Sequence, residues 1–163
     1  MAVGFPAMTI YFYQVDQPYG VFSNFSPHPI TLDGYRWPTV EHYYQAQKFV
    51  GTRDAALVAK IRELPHPMLA AQTGRNPRYQ RRPDWEQVKC NVMLKAVQCK
   101  FFSHPELAQM LLQTGTAALV ENSPIDTYWG CGPNGTGCNH LGQILMQVRQ
   151  ELASCPAHPL LNH

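Results

Sequence analysis

The spacing of apolar and polar positions divides the chain into an extended first part and a helical remainder. Thr9-Ile-Tyr-Phe-Tyr13 is rich in the β-branched and aromatic residues that favour strands. Ile30-Thr-Leu32 and Tyr35-Arg-Trp37 flank Asp33-Gly34, a dipeptide that predicts a hairpin. Pro38 stands where a helix can begin, and Val40 to Val50 runs without a breaker until Gly51. A second helix is expected over Asp54–Leu64. After Pro83, acids lie in the first turn of a long segment in which Val88, Val92, Ala96 and Cys99 recur at helical intervals. Pro105 opens another helix, closed by Gly115. The glycine-rich stretch Trp129–Gly142 leads into a last helix of about ten residues ending near Leu152. The sum is one mainly helical α+β domain over residues 1–152, with a small antiparallel sheet near the N-terminus. Ala153–His163 carries two prolines and no periodicity, and is expected to be a flexible tail.

Composition sharpens this reading. A length of 163 residues fits one domain, and 45% apolar content can bury a core, which excludes a disordered or fibrous chain. Charged residues are 15% of the chain against roughly 25% in an average domain, so the placement of each is informative. The net charge of +2 gives no global pull toward nucleic acid or a membrane. Locally the balance differs. Between Ala70 and Lys100 lie Arg75, Arg78, Arg81, Arg82, Lys89, Lys95 and Lys100, opposed only by Asp84 and Glu86. A basic patch suited to one or two phosphates is implied. The cysteines number five and form no C-x-x-C pair. The start MAVGFPAMTIYFY has no basic n-region or long apolar run, and no stretch reaches the roughly 20 residues that span a bilayer. A cytoplasmic protein with free thiols, not associated with membranes, is the expectation.

Three segments carry candidate chemistry. Glu41, Gln45 and Lys48 are four and three residues apart, so they share one face of the predicted helix. One reading is a solvated face with a loose charge pair. The other rests on His42, Tyr43, Tyr44, Gln45 and Gln47, which suit a polar pocket, where a carboxylate and an ammonium on a rigid helix can do acid–base work on a sugar. In the second segment, Arg75, Arg78, Arg81 and Arg82 are interleaved with Tyr79 and Trp85. Guanidinium forks pair with phosphate oxygens and aromatic rings stack on a base. The same arginines could instead cap neighbouring helices, and Trp85 could be a core anchor.

The third segment runs from Glu121 to Gly142. Gly130, Gly132, Gly135 and Gly137 would let the backbone approach a ligand, and Asn139 could cap the last helix, whose N–H groups attract an anion. A purely structural turn fits as well. Asp126, close to Tyr128 and Trp129, is a candidate for a partly desolvated carboxylate. No Gly-Lys-Ser/Thr follows, so this is not a nucleotide-triphosphate loop. Cys131, Cys138 and His140 match no common zinc spacing, and no metal is expected. Cys90 and Cys99 read as helix core rather than nucleophiles.

The segments Ser23-Asn-Phe-Ser-Pro27 and Leu32–Phe49, then Gly74-Arg-Asn-Pro77 with Trp85-Glu-Gln-Val-Lys89, then Asp126–Arg149 together resemble the YbiA-like, or NADAR, family, from about Ile10 to Leu152. The resemblance implies a YbiA-like fold and an N-glycosidase, without cofactor, that acts at the anomeric carbon of a phosphorylated ribose. Some members act on early ribosylamino-pyrimidine intermediates of riboflavin synthesis; others remove ADP-ribose from guanine in nucleic acid. By motif, the family's catalytic carboxylate falls on Glu41, its lysine on Lys48, its site tryptophans on Trp85 and Trp129, and its loop acid on Asp126. Cys131 and Cys138 depart from the polar or charged residues more usual in that loop.

The expected partner is thus a small phosphorylated N-riboside, with ADP-ribosylated guanine in DNA or RNA as the alternative. Glu41, Lys48 and Asp126 are the expected catalytic residues. Tyr44, Trp85, Trp129, Arg75, Arg78, Arg81, Gly130 and Asn139 are expected to bind substrate. Two rival readings are a non-catalytic ADP-ribose or nucleotide reader and a structural protein.

Overall fold

The computed structural model describes residues 8–155, so the expected tail falls outside it beyond 155. In chain order the elements are β1 (Thr9–Phe12), a 3-10 turn (Gly20–Phe22), β2 (Ile30–Leu32), β3 (Tyr35–Trp37), α1 (Val40–Gln47), α2 (Leu57–Arg62), α3 (Pro67–Arg75), α4 (Trp85–Ser103), α5 (Pro105–Gln113), β4 (Ala118–Glu121) and α6 (His140–Ala153). They fall into two units. One is Asn24–His104; the other joins the chain up to Ser23 with the chain from Pro105 onward.

In the Asn24–His104 unit, β2 and β3 pair antiparallel with Ile30 opposite Trp37 and Leu32 opposite Tyr35. Asp33 and Gly34 both take positive φ (54° and 83°), the geometry a tight two-residue hairpin requires. The Asp33 carboxylate accepts from Lys95 Nζ (2.6 Å) and Tyr43 Oη (2.7 Å), which ties the turn to α4 and α1. These two bonds hold Asp33 below the usual carboxylate range. Thr39 starts α1 by accepting from the His42 N–H (3.2 Å), as an N-cap should. The helix is buried almost all round: Val40, Tyr43 and Ala46 are in the core, and so are Glu41, His42 and Gln45.

α2 is shorter than the expected Asp54–Leu64. Its proposed first residue is occupied elsewhere, because the Asp54 carboxylate accepts from the Gln80 N–H (2.7 Å). α3 was not foreseen. Pro67 sits in its first turn and His66 Nδ1 accepts from the Met68 N–H (3.0 Å), so a histidine does the work usually signalled by Ser or Asp. In α4 the buried stripe runs through Trp85, Met93, Ala96, Val97, Lys100 and Phe101. Val88, Val92 and Cys99 lie at its margin, and Cys90 and Cys99 are half-buried rather than core residues. Lys100 is fully enclosed, its Nζ donating to Ser26 Oγ (2.6 Å), and burial pushes its ammonium down to about 7.

In the other unit β1 pairs with β4, in parallel, Thr9 opposite Ala118 and Phe12 opposite Glu121. The sheet structure is therefore not solely antiparallel: the first strand finds a partner more than a hundred residues later. α5 buries Leu107, Ala108 and Leu111, and Gly115 closes it at φ 63°. α6 has 14 residues, longer than expected, and its helical register includes Ala153, the first residue of the expected tail. No helix among the described residues is long and apolar enough to cross a membrane.

Candidate active site

Glu41, Gln45 and Lys48 share one face of α1, and all three are buried, at 5%, 2% and 6% exposure. The solvated-face reading is thereby overturned. It fails because α2, α3 and α4 of the same unit pack around α1, leaving only Gln47 half-exposed along the helix. Gln45 Nε2 donates to Glu41 Oε1 (2.7 Å), and the Glu41 N–H donates to the Asn24 carbonyl (3.2 Å). Ser23-Asn-Phe-Ser-Pro27 thus contributes backbone to the first turn of α1.

Lys48, at the end of α1, donates from Nζ to the Gly74 carbonyl of α3 (3.3 Å). Its Nζ lies 5.5 Å from the Tyr44 ring centre and 5.9 Å from that of Trp85, and these two rings pack 5.1 Å apart. Trp85 is 3% exposed, so it is a core anchor and also one wall of the lysine's surroundings. Burial pushes the Lys48 ammonium down to about 8. The Glu41 charge opposes that shift, while Arg81, Arg75 and Lys89 add to it by repulsion. Lys48 is therefore a cation backed by three others, a field that suits an anionic ligand.

The arginines divide. Arg75 and Arg81 are exposed and act on Lys48. Arg82 is engaged as a fork on Asp84, through Nε (2.6 Å) and Nη2 (2.9 Å). Arg78 is exposed, and it does not figure among the charges that act on Lys48. Lys89 of the same basic patch, whose ammonium pairs with Glu86 (2.5 Å), joins the group, though it is absent from the expected substrate-binding residues. Its spacing of four from Trp85 on one helix was the available signal.

His42 and Tyr43, read as pocket-lining, instead serve the fold. His42 Nε2 faces the Leu64 carbonyl (2.9 Å) and Nδ1 faces Thr39 Oγ1 (2.8 Å). The carbonyl requires a proton on Nε2, and burial lowers the ring's affinity for a second one. Tyr43 Oη is committed to Asp33.

The loop before α6 forms a second cluster, in the other unit. Asp126 is half-buried, and its Oδ1 accepts from the N–H groups of both Tyr128 (2.9 Å) and Trp129 (2.7 Å). One carboxylate oxygen thus shapes the turn that presents the two rings. Tyr128, Trp129 and His140 then gather, with ring centres 4.9 Å apart for the first two and 4.3 Å between Tyr128 and His140. Tyr128 and His140 had not been singled out as site residues; their place beside Trp129 and at the first position of α6 was the clue.

Asn139 does stand at the N-cap of α6, yet its side chain does not cap the helix. Oδ1 accepts from the Glu121 N–H and Nδ2 donates to the Leu119 carbonyl, both at 2.9 Å. Both polar atoms of this side chain are thus bonded to β4. Gly130 is likewise explained by the fold, since a Cβ there would meet the Glu121 carbonyl and the Ser123 Cβ, both at 2.8 Å. Among the described residues no group of three or more His, Cys, Asp or Glu side chains gathers as a metal site.

The NADAR domain family matches residues 11–153 of this chain. The chain is 55% identical over 145 residues to the N-glycosidase Npun_R5314 of Nostoc punctiforme, covering 89% of this chain and 93% of that protein. It is 46% identical over 162 residues to the riboflavin biosynthesis protein PYRR, chloroplastic, of Zea mays, covering 91% of this chain and 26% of that longer protein. Its fold is similar to the NMR structure of the E. coli protein YbiA, with a TM-score of 0.84, 44% identity, and coverage of 98% of this chain and 91% of the other.

Proposed function

Because the chain belongs to the NADAR domain family, we propose that it is an N-glycosidase that hydrolyses the C1–N bond of a phosphorylated N-riboside, with Glu41 as the catalytic carboxylate. The observation that carries this reading is a buried carboxylate held on the same helix face as a buried lysine. The name of the Nostoc relative supports the reaction class, and the name of the maize relative favours a ribosylamino-pyrimidine of riboflavin synthesis as substrate.

Breaking a ribose C1–N bond builds positive charge over C1 and the ring oxygen. A carboxylate held in a water-poor site stabilises that charge far better than one in bulk solvent. Glu41 then takes a proton from the attacking water, whose oxygen bonds to C1 as the amine leaves with the bonding pair and picks up a proton from solvent; Glu41 afterwards returns its proton to solvent. Lys48, with Arg75, Arg81 and Lys89 behind it, holds the phosphate. Tyr44 and Trp85 keep the ribose and base in register beside it. In a second role for Lys48, its neutral amine would attack C1 and displace the substrate's amine, which leaves with the bonding pair and the lysine's proton, and ring opening would then give a Schiff base; borohydride trapping of the full-length chain separates the two.

The loop carrying Asp126 and Trp129, taken by itself, offers a face for a flat ring. Trp129→Ala should raise KM and lower kcat, and unchanged values in a folded variant would return Trp129 to the fold. Five cysteines without disulfides suit the cytoplasm.

The test is a hydrolysis assay in two arms, one with a phosphorylated ribosylamino-pyrimidine and one with ADP-ribose linked to guanine. Released ribose phosphate in the first arm is the expected result. Product in the second arm alone would move the substrate to the nucleic-acid class. Binding without product in either arm would make the chain a reader rather than an enzyme.

A further inference from the structure

We propose that Gln45 is a positioning residue for Glu41: its carboxamide fixes one carboxylate oxygen and is itself seated by Gly74 on the facing helix. The inference rests on the reading of Glu41 as the catalytic carboxylate.

The bond from Gln45 Nε2 to Glu41 Oε1 is 2.7 Å long and joins two buried side chains one turn apart. A carboxylate only accepts, so the amide can face it in one orientation alone, with its N–H toward Glu41 and its oxygen toward α3. There the chain has Gly74. A Cβ at that position would overlap Oε1, Cδ and Cβ of Gln45, so the absent side chain is the room the carboxamide occupies. The carbonyl of the same Gly74 accepts from Lys48 Nζ. One glycine thus seats Gln45 and receives the lysine.

The other end of the amide decides the argument. Gln45 Oε1 is buried and has no hydrogen-bond partner among the described residues. A buried acceptor without a donor destabilises a fold, and a methionine of the same length would fill the space without that cost. The carboxamide is therefore poorly accounted for by packing, and well accounted for by what its donor end does to Glu41. A charge-assisted bond of this kind favours the ionised carboxylate and restricts its rotation.

The experiment compares Gln45→Met and Gln45→Glu with the unaltered full-length chain, over a range of pH. Gln45→Met keeps the length and loses the donor. Its kcat should fall about ten- to a hundredfold, the range for a hydrogen bond to a charged group, with KM within about threefold and no loss in unfolding midpoint. In Gln45→Glu the new carboxyl donates to Glu41 only while protonated, so its kcat relative to the unaltered chain should climb as pH falls and collapse as pH rises. The charge that acts on Glu41 is Lys48 at the end of α1, and the cations acting in turn on Lys48 are Arg81 of the loop after α3, Arg75 of α3 and Lys89 of α4; all four cations are kept in every variant. A purely structural role would lower both variants by a pH-independent factor, or lower the midpoint instead. Full kcat in Gln45→Met, or a profile for Gln45→Glu parallel to the unaltered chain, overturns the inference. If Gln45→Met does not fold, the pH ratio within Gln45→Glu still decides. Glu41→Gln is run alongside: turnover retained there sinks the reading of Glu41, whereas a dead Glu41→Gln beside a fully active Gln45→Met sinks the positioning role alone.

Discussion

The helix α1 and the loop before α6 are the two polar-rich segments of the chain, and they use their polar groups in opposite ways. On α1 the backbone satisfies itself, so Glu41 and Gln45 are buried with their side chains paired to each other, and Lys48 is buried against the Gly74 carbonyl. In the loop the backbone pairs with itself only in part, as where the Cys138 N–H donates to the Thr127 carbonyl (2.8 Å). Asp126 accepts from two further loop N–H groups, Asn139 bonds to the backbone of β4, and Gly130 lets the loop close on that strand. A polar side chain of the glycine-rich loop is thus accounted for by the backbone it serves, whereas Glu41 and Gln45 on the buried helix face are accounted for by each other.

The contrast is sharpest where the expected effect is largest. Glu41→Gln should cut kcat by about a thousandfold or more, the scale of a lost charge at the reacting centre, while substrate still binds. Isothermal titration beside a turnover assay measures both. Asn139→Ala should do the reverse, lowering stability by roughly 2–3 kcal/mol through two lost bonds to the backbone, with kcat/KM of the folded protein little changed. Chemical denaturation reads the first and steady-state kinetics the second. A catalytic defect in a fully stable Asn139→Ala would erase the distinction between the regions.

Smaller effects test the charge around Lys48. If its ammonium holds the phosphate, kcat/KM should fall as pH rises through about 8, where the lysine loses its proton. Lys48→Arg, protonated throughout, should lose that alkaline limb. A rate that instead rises through about 8 would mark the neutral amine as the active form. Among the arginines, Arg81→Ala should raise KM by about tenfold, in line with one lost charge-assisted contact to phosphate. Arg82→Ala, whose fork is already occupied by Asp84, should change it by less than about twofold. Equal effects of the two would mean that the basic segment acts only as a diffuse field.

Local signals were legible wherever the physics is local. Asp33-Gly34 specified the hairpin, Pro38 the start of α1, and Pro105 with Gly115 the limits of α5. α3 escaped because its cap is His66 and because its last residues, Gly74 and Arg75, read as part of an arginine-rich loop. β4 escaped because four residues carry little pattern, and its partner Thr9–Phe12 is too distant in sequence for pairing to leave a mark. At the site, the spacing on α1 placed Glu41, Gln45 and Lys48 together. It could not say that the face is buried, since enclosure depends on Gly74, Trp85 and the other residues that surround it. The glycines of the loop were legible as close approach; what they approach, at Gly130, is the protein's own strand.

The enclosed Lys100 has a thermodynamic consequence. Near pH 8.5 its amine is neutral in the folded chain, at about 7, and an ammonium once released to the ordinary 10.5. Lys48 behaves alike, more weakly. Melting must then draw protons from the buffer, and resistance to melting should improve with alkalinity across that interval, because the unfolded chain binds more of them. Calorimetric heats taken in Tris and in borate should differ by the buffers' own ionisation heats, and Lys100→Met should shrink that difference.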